Sequence, residues 1–263
     1  MTPELDIIIP VYNEGENILP VLQAIANSVR TPFRVLICYD HDDDTTLTAL
    51  KAHPVAGLEL QLVKNEGRGA LGAVLTGFRQ STAPAALVIP ADDDYNAARL
   101  DVMMAKFREG CDIVVGSRFM RGGCMKGCPW LKATIVRTSA FVLHYIARLP
   151  THDPSNGLRL FSRRVLDQIP IESTVGFAYS LELLVKCHRL GWKIEEIPLH
   201  WYERRQGASR FRVLNWLPQY FVWFRYAFAT TYLFRGPDTV QLKKPSDRAH
   251  AGVAVTSSQE NRP

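Results

Sequence analysis

Apolar runs that break off abruptly into polar clusters recur along the first 116 residues. Leu5–Val11 (LDIIIPV), Phe33–Tyr39 (FRVLICY), Leu58–Val63, Leu87–Ile89 and Asp112–Gly116 (DIVVG) are each nearly continuous in apolar residues. Such runs are expected of parallel strands covered on both faces. Between them the apolar period changes to that of a helix. Ile18, Val21, Leu22, Ile25 and Val29 form one stripe, with Pro20 in the first turn, where its missing N–H costs nothing. Further helices are predicted from Thr46–Leu47 onward, over Ala70–Ser81, and around Leu100, Met103, Met104 and Phe107. Strand and helix alternating in this way predict an α/β fold with a Rossmann-like, doubly wound sheet.

The polar clusters all follow strands, so they gather on the carboxyl edge, where such sheets bind ligands. They are Tyr12-Asn13-Glu14, Asp40-His41-Asp42-Asp43-Asp44, the turn Asn65-Glu66-Gly67-Arg68-Gly69, and Asp92-Asp93-Asp94. Three adjacent carboxylates repel one another and are costly to desolvate, so a positive partner is expected among them. A divalent cation bridging them to a diphosphate supplies one, although a solvated acidic turn has the same composition. No G-x-G-x-x-G follows the first strand and no G-x-x-x-x-G-K-[ST] occurs, which sets aside dinucleotide and P-loop sites.

The net charge of +5 conceals an asymmetry, for residues 1–116 carry −7 and residues 117–263 carry +12. An acidic first half suits a metal, and a basic second half suits phosphates or an anionic membrane. Nucleic acid is not expected, because the basic residues are interleaved with apolar stretches rather than gathered on a polar arm. With 263 residues, 47% of them hydrophobic, the chain can bury a substantial core. Its five scattered cysteines do not form a disulfide framework, and its first residues read as the start of a strand rather than as a secretory signal.

The segments IIPVYNEGENI, YDHDDDTT, NEGRGALGAVLTGF, VIPADDD and VVGSRFMRGG, followed by DPSNGLRLFSRRVL and ERRQGASRF, stand in the order and spacing of glycosyltransferase family 2. The chain resembles that family over roughly residues 5–215, and within it the dolichyl-phosphate mannose synthases and bacterial polyprenyl-phosphate glycosyltransferases. The resemblance implies a GT-A type fold and an inverting hexosyltransferase. Such an enzyme takes mannose or glucose from a nucleotide-diphosphate sugar donor to a polyprenyl or dolichyl phosphate acceptor, with Mg²⁺ or Mn²⁺ as cofactor. It implies Pro10, Tyr12, Glu14 and Asp40 around base and ribose, with Arg204 and Arg210 closing over the phosphates. It further implies Arg118, Arg137 and Ser139 at the acceptor phosphate. Two departures stand out. The second strand ends Tyr39-Asp40-His41-Asp42 where the family reads Asp-Asp-Gly-Ser, and Pro90 replaces the first aspartate of the family's Asp-Ala-Asp. The register keeps Asp92, with Asp94 two further on, as metal ligands, and leaves the choice among Asp92, Asp93 and Asp94 open.

Arg137, His144 and Arg148 recur at spacings of seven and four among Trp130, Leu131, Ile135, Phe141 and Ile146. Such a pattern fits a basic helix lying in a membrane interface, or a core helix with snorkelling arginines. Residues 215–235 form a second membrane candidate, dense in Trp and Tyr but with Arg225 at the centre, which favours lying in the headgroup layer over spanning. The expected organisation is thus a catalytic domain over 1–214, an aromatic membrane-associating helix over 215–235, and a disordered tail over 236–263. The expected location is the cytoplasmic face of a membrane, peripheral or monotopic; oligomeric state is not legible. Three rivals remain: a family 2 enzyme acting on a sugar or lipid hydroxyl, with Asp153 as the base that chemistry needs; a nucleotidyltransferase; and a catalytically impaired lipid-binding homologue.

Overall fold

The computed structural model describes residues 2–203 and 213–244, with residues 213–217 by backbone alone. In chain order the elements are β1 (Leu5–Pro10), α1 (Ile18–Ser28), β2 (Phe33–Tyr39), α2 (Thr45–Ala52), β3 (Leu60–Lys64), α3 (Gly69–Gln80), β4 (Ala85–Val88) and α4 (Leu100–Arg108). There follow β5 (Ile113–Ser117), β6 (Cys124–Lys126), α5 (Trp130–Phe141), β7 (Arg159–Ser162), α6 (Arg163–Gln168), α7 (Ala178–Arg189), β8 (Ile194–Pro198), β9 (His200–Tyr202) and α8 (Val213–Tyr232). Seven strands form one sheet in the order β3-β2-β1-β4-β7-β5-β8, and β6 pairs with β9 in a short ribbon. All neighbours in the large sheet are parallel except β7, which runs antiparallel between β4 and β5.

The two faces are separated by strand periodicity. Ile7 and Ile9 point to one side with Val35, Ile37, Ala85 and Leu87, where α1 and α4 cover them. Ile8 points to the other with Leu36, Cys38, Ala86 and Val88, beneath α3, α7 and the inner side of α8. The α3 contact is close: a Cβ on Gly77 would lie 2.6 Å from Ile8 Cγ2 and 3.0 Å from Cys38 Sγ, both on fully buried residues. Helix propensity alone would favour alanine there by about 1 kcal/mol. Gly77→Ala is nevertheless expected to destabilise by about 1–3 kcal/mol through overpacking. A lower denaturant midpoint at unchanged m-value is the expected readout, and an unchanged or higher midpoint would show that α3 can lift off the sheet.

Two expectations change here. The aromatic segment after residue 215 is a helix, but one side of it is core. Trp223 and Ala227 are buried, and Tyr220, Phe224, Tyr226 and Phe228 pack against the same cluster. Phe221, Val222, Arg225 and Tyr232 face outward. Among the described residues no helix is long and apolar enough to cross a membrane. Residues 236–244, expected to begin a disordered tail, return to the body. Val240 is buried, Lys243 N donates to the Gln168 carbonyl, and Lys243 Nζ donates to that of Leu166. Backbone and lysine donors are satisfied there without any apolar periodicity, so hydropathy alone does not reveal it.

Candidate active site

Because β1, β2, β4, β5 and β8 share one direction, the segments after them open on the same edge, and the loop preceding antiparallel β7 joins them. Pro10, Tyr12, Glu14, Asp40, Asp92–Asp94, Arg118 and Asp153 are thereby brought to one rim.

After β1 the chain turns at Asn13, whose φ of 53° is left-handed. Asp44 holds the turn: its Oδ2 accepts from Asn13 N (2.9 Å) and its Oδ1 from Thr46 N (2.8 Å), capping α2. Asn13 Oδ1 accepts in return from Thr45 N, and Thr46 Oγ1 from Glu14 N. Asp44 is therefore a buried helix cap. Tyr12 stays half exposed, with its ring edge-on to His41 at 6.4 Å between centroids. His41 thus joins the mouth of the site, a position its sequence neighbours did not single out. Asp40, expected at the ribose, also supports the next turn: Oδ1 accepts from Asn65 Nδ2 (2.6 Å) and Oδ2 from Gly69 N (3.1 Å). Asn65 in turn accepts from Gly67 N and Thr76 Oγ1. A Cβ on Gly72 would meet Asn65 Oδ1 at 2.8 Å, so glycine is needed there for close approach.

The three aspartates after β4 have separate surroundings. Asp93 accepts from Asn96 Nδ2 with both oxygens (2.8 and 2.9 Å), and Asn96 clamps His200 by donating to its carbonyl and accepting from its N–H. Burial pushes the Asp93 carboxyl up to about 6, against the lowering effect of the Asn96 bonds. Asp93 therefore fastens the strand end to β9. Asp92 is half-buried and Asp94 exposed. Among the described residues no group of three His, Cys, Asp or Glu side chains is placed to hold a metal ion. Asp92 and Asp94 offer oxygen donors only, a set that fits Mg²⁺ or Mn²⁺ when diphosphate oxygens and water complete the shell.

Arg118 and Asp153 form one unit. The fully buried Asp153 carboxylate accepts at Oδ2 from Arg118 N (2.9 Å) and Nε (2.6 Å). At Oδ1 it accepts from Arg118 Nη2 (2.8 Å) and Ser155 Oγ (3.1 Å). Burial opposes the Arg118 charge, but the Asp153 carboxylate more than offsets this and raises its pKa. Thr151 buttresses the pair, receiving Asp153 N at its hydroxyl while donating to Glu196 Oε2. Arg159 is fully buried, donating from Nη2 to the Pro154 carbonyl (3.1 Å) and from Nη1 to that of Ser180, so it fixes the loop that carries Asp153. Burial lowers its pKa to about 10, which still leaves it charged at neutral pH.

Arg137 stands exposed on α5, whose outer surface also bears Trp130 (78% exposed), Leu131, Ile135 and Phe141. Ser139, predicted at the acceptor phosphate, donates its hydroxyl to the Val136 carbonyl of its own helix (2.9 Å). The predicted face through His144 and Arg148 is also interrupted. The helix widens into a π turn over Val142–Ile146, His144 stacks on His152 at 3.9 Å, and Arg148 lies beyond the end with φ 58°. Arg204 and Arg210 lie outside the described residues.

Residues 6–170 match the family model for glycosyl transferase family 2. The polyprenol monophosphomannose synthase of Mycolicibacterium smegmatis is 25% identical over 211 residues, covering 78% of this chain and 79% of that one. The dolichol-phosphate mannosyltransferase of Pyrococcus furiosus is 25% identical over 215 residues, covering 80% of this chain and 59% of that one. Among solved structures, glucosyl-3-phosphoglycerate synthase from Mycobacterium tuberculosis with phosphoglyceric acid superposes at a TM-score of 0.63. The two are 17% identical, and the match covers 87% of this chain and 81% of that one. The same enzyme with Mn²⁺, UDP-glucose and phosphoglyceric acid gives 0.60 at 17% identity, covering 87% and 79%. The sheet and the family match over residues 6–170 make this chain a glycosyltransferase of family 2, similar to the polyprenyl-phosphate mannose synthases.

Proposed function

We propose that the enzyme transfers a hexose, mannose or glucose foremost, from a nucleotide-diphosphate sugar to a polyprenyl phosphate with inversion at the anomeric carbon. The observation that carries this is the saturation of Asp153. An ionised carboxylate accepts about four hydrogen bonds, and Asp153 already accepts four from Arg118 and Ser155. It has no lone pair left to take a proton from a hydroxyl acceptor. A phosphate acceptor is already ionised and needs no base, so catalysis rests on positioning and on charge. The names of the relatives support the same acceptor class.

In this mechanism Tyr12 and His41 flank the base, and Glu14 accepts hydrogen bonds from base or ribose. Asp92 and Asp94 would hold the divalent ion, which would supply positive charge to neutralise the diphosphate. Arg118, locked by Asp153, and Arg137, free to swing on α5, hold the acceptor phosphate. One of its oxygens attacks the anomeric carbon as the bond to the diphosphate breaks, and the nucleoside diphosphate departs. Arg204 and Arg210 would close over the leaving phosphates, since guanidinium forks match phosphate oxygens. The exposed apolar residues of α5 would enter the headgroup layer on the cytoplasmic face, bringing a lipid acceptor to the rim without a spanning helix.

Incubating membranes that contain the enzyme with a panel of labelled sugar nucleotides and Mg²⁺ or Mn²⁺, then extracting lipid, tests the proposal. One donor should give label in the lipid fraction that rises with added polyprenyl phosphate. Label that appears only in a water-soluble glycoside, or in a lipid whose yield ignores added polyprenyl phosphate, would refute the acceptor.

A further inference from the structure

A basic cavity lies away from the rim. It has a volume of about 540 Å³ and is lined chiefly by Arg189, Arg225, Arg235, Tyr226, Val222 and Leu233. Arg189 closes α7 just before β8 begins, so the cavity sits toward the amino edge of the sheet, away from the catalytic residues. Beside it Thr231 Oγ1 donates to the Ala147 carbonyl and Tyr232 Oη to that of Ile146, so this surface adjoins the segment that follows α5 and one bilayer can meet both. Three guanidinium groups converge there, and none of the ion pairs among the described residues involves any of them. Arg189 is buried, and its acceptors among the described residues are neutral: Thr230 Oγ1 (2.9 Å), Thr239 Oγ1 (3.2 Å) and the Tyr226 carbonyl (2.7 Å). Its guanidinium lies 3.3 Å over the Tyr226 ring. Hydrogen bonds to neutral groups fix its place but leave its charge without a counter-ion among the described residues, an expensive arrangement for a buried cation. Arg225 and Arg235 are exposed at the opening.

The rim is apolar as well as basic. Val222 and Leu233 line the cavity while being half or more exposed, and Tyr232 and Phe234 continue the same surface, Phe234 at 89% exposure. A soluble anion would use the arginines but leave this rim in water. A lipid whose phosphate enters the cavity while its acyl chains lie along Val222, Leu233 and Phe234 uses both. We propose that this cavity is a docking site for the headgroup of an anionic phospholipid in a bilayer, distinct from the acceptor site and occupied by a lipid that is not consumed. It goes beyond the transfer reaction and holds whichever acceptor the enzyme uses.

Sedimentation of the full-length protein with vesicles, without donor or acceptor, tests it. Wild type should bind phosphatidylcholine vesicles containing phosphatidylglycerol more tightly than phosphatidylcholine alone. The double variant Arg225→Gln/Arg235→Gln should lose about thirtyfold in affinity for the anionic vesicles, at roughly one decade per 1.4 kcal/mol and about 1 kcal/mol per basic side chain at the surface. Its binding to neutral vesicles should be unchanged. Arg30→Gln/Lys51→Gln removes the same charge from exposed positions on the other side of the sheet, and should lose about threefold at most. Equal losses in the two double variants would reduce the effect to net charge and overturn the site, as would wild-type affinity in Arg225→Gln/Arg235→Gln. Thermal stabilisation of wild type by inorganic phosphate at matched ionic strength, absent from Arg225→Gln/Arg235→Gln, would assign the cavity to a soluble anion and overturn the lipid.

Discussion

Asp92→Asn is expected to retain the fold and lose turnover by about a hundredfold to a thousandfold, the range found when one preorganised stabiliser of developing charge is removed. The residue stands at the carboxyl end of β4, half-buried on the rim. Asp92 and Asp94 are the proposed oxygen donors through which a cation would reach the diphosphate, while Asp93 accepts from Asn96. Asparagine keeps the shape and one oxygen but removes the charge. Activity titrated against Mg²⁺ and Mn²⁺, beside a denaturation curve, separates the loss from misfolding. The variant should need more metal, while its denaturation midpoint stays near wild type. Near wild-type turnover at subsaturating metal would dismiss Asp92 as a ligand. Asp93→Asn should behave differently. Because Asp93 ties Asn96, and through it His200, to the strand end, its loss should appear in stability before turnover.

The contrast between Asp92 and Asp93 shows where sequence stops being informative. An apolar run ending in three carboxylates locates the rim, since strand direction and burial follow from hydropathy alone. It does not show which carboxylate is turned to its own loop, because that depends on Asn96 and on His200, which is 104 positions further along the chain. Asp40 presents the same ambiguity. Its position after β2 was legible, but its bonds to Asn65 and Gly69 cross from one strand end to the next. Asp44 was more readable, since a capping aspartate acts within two residues of itself.

Beyond residue 116 the local pattern becomes thinner. The strand β7 is four residues long and contains Arg159, which hydropathy would place outside the core; it is nonetheless central and antiparallel. Nothing local announces that, because the arginine is stabilised by carbonyls of Pro154 and Ser180. The aromatic helix α8 was legible as a helix, but its inner face was not. Trp and Tyr serve a protein core and a membrane interface equally well, and only packing against α7 shows that Trp223 belongs to the first while Phe221 faces outward.

The acceptor is decided at Arg137. Arg118→Ala and Asp153→Asn each break a buried pair, and removing one partner of such a pair costs about 3–5 kcal/mol. Either variant is therefore expected to fall in both stability and activity whatever the acceptor, which makes them poor discriminators alone. Arg137 has no such structural duty, being exposed on α5 with no ion pair among the described residues. If it holds a lipid phosphate, Arg137→Ala removes a charge-assisted contact worth about 1.5–3 kcal/mol. That corresponds to a tenfold to hundredfold fall in kcat/KM for polyprenyl phosphate, at about 1.4 kcal/mol per decade. Donor affinity and denaturation midpoint should stay unchanged, because the residue is exposed outside the core and is assigned to the acceptor rather than the nucleotide. Arg137→Lys should recover part of the loss, since a lysine still offers a charge but not a bidentate fork. A hydroxyl acceptor predicts instead that Arg137→Ala is mild and that activity follows the deprotonation of a base, for which Asp153 has no vacant lone pair. Measured kcat/KM for polyprenyl phosphate within twofold of wild type in Arg137→Ala would remove the arginine from the acceptor site and reopen the hydroxyl chemistry.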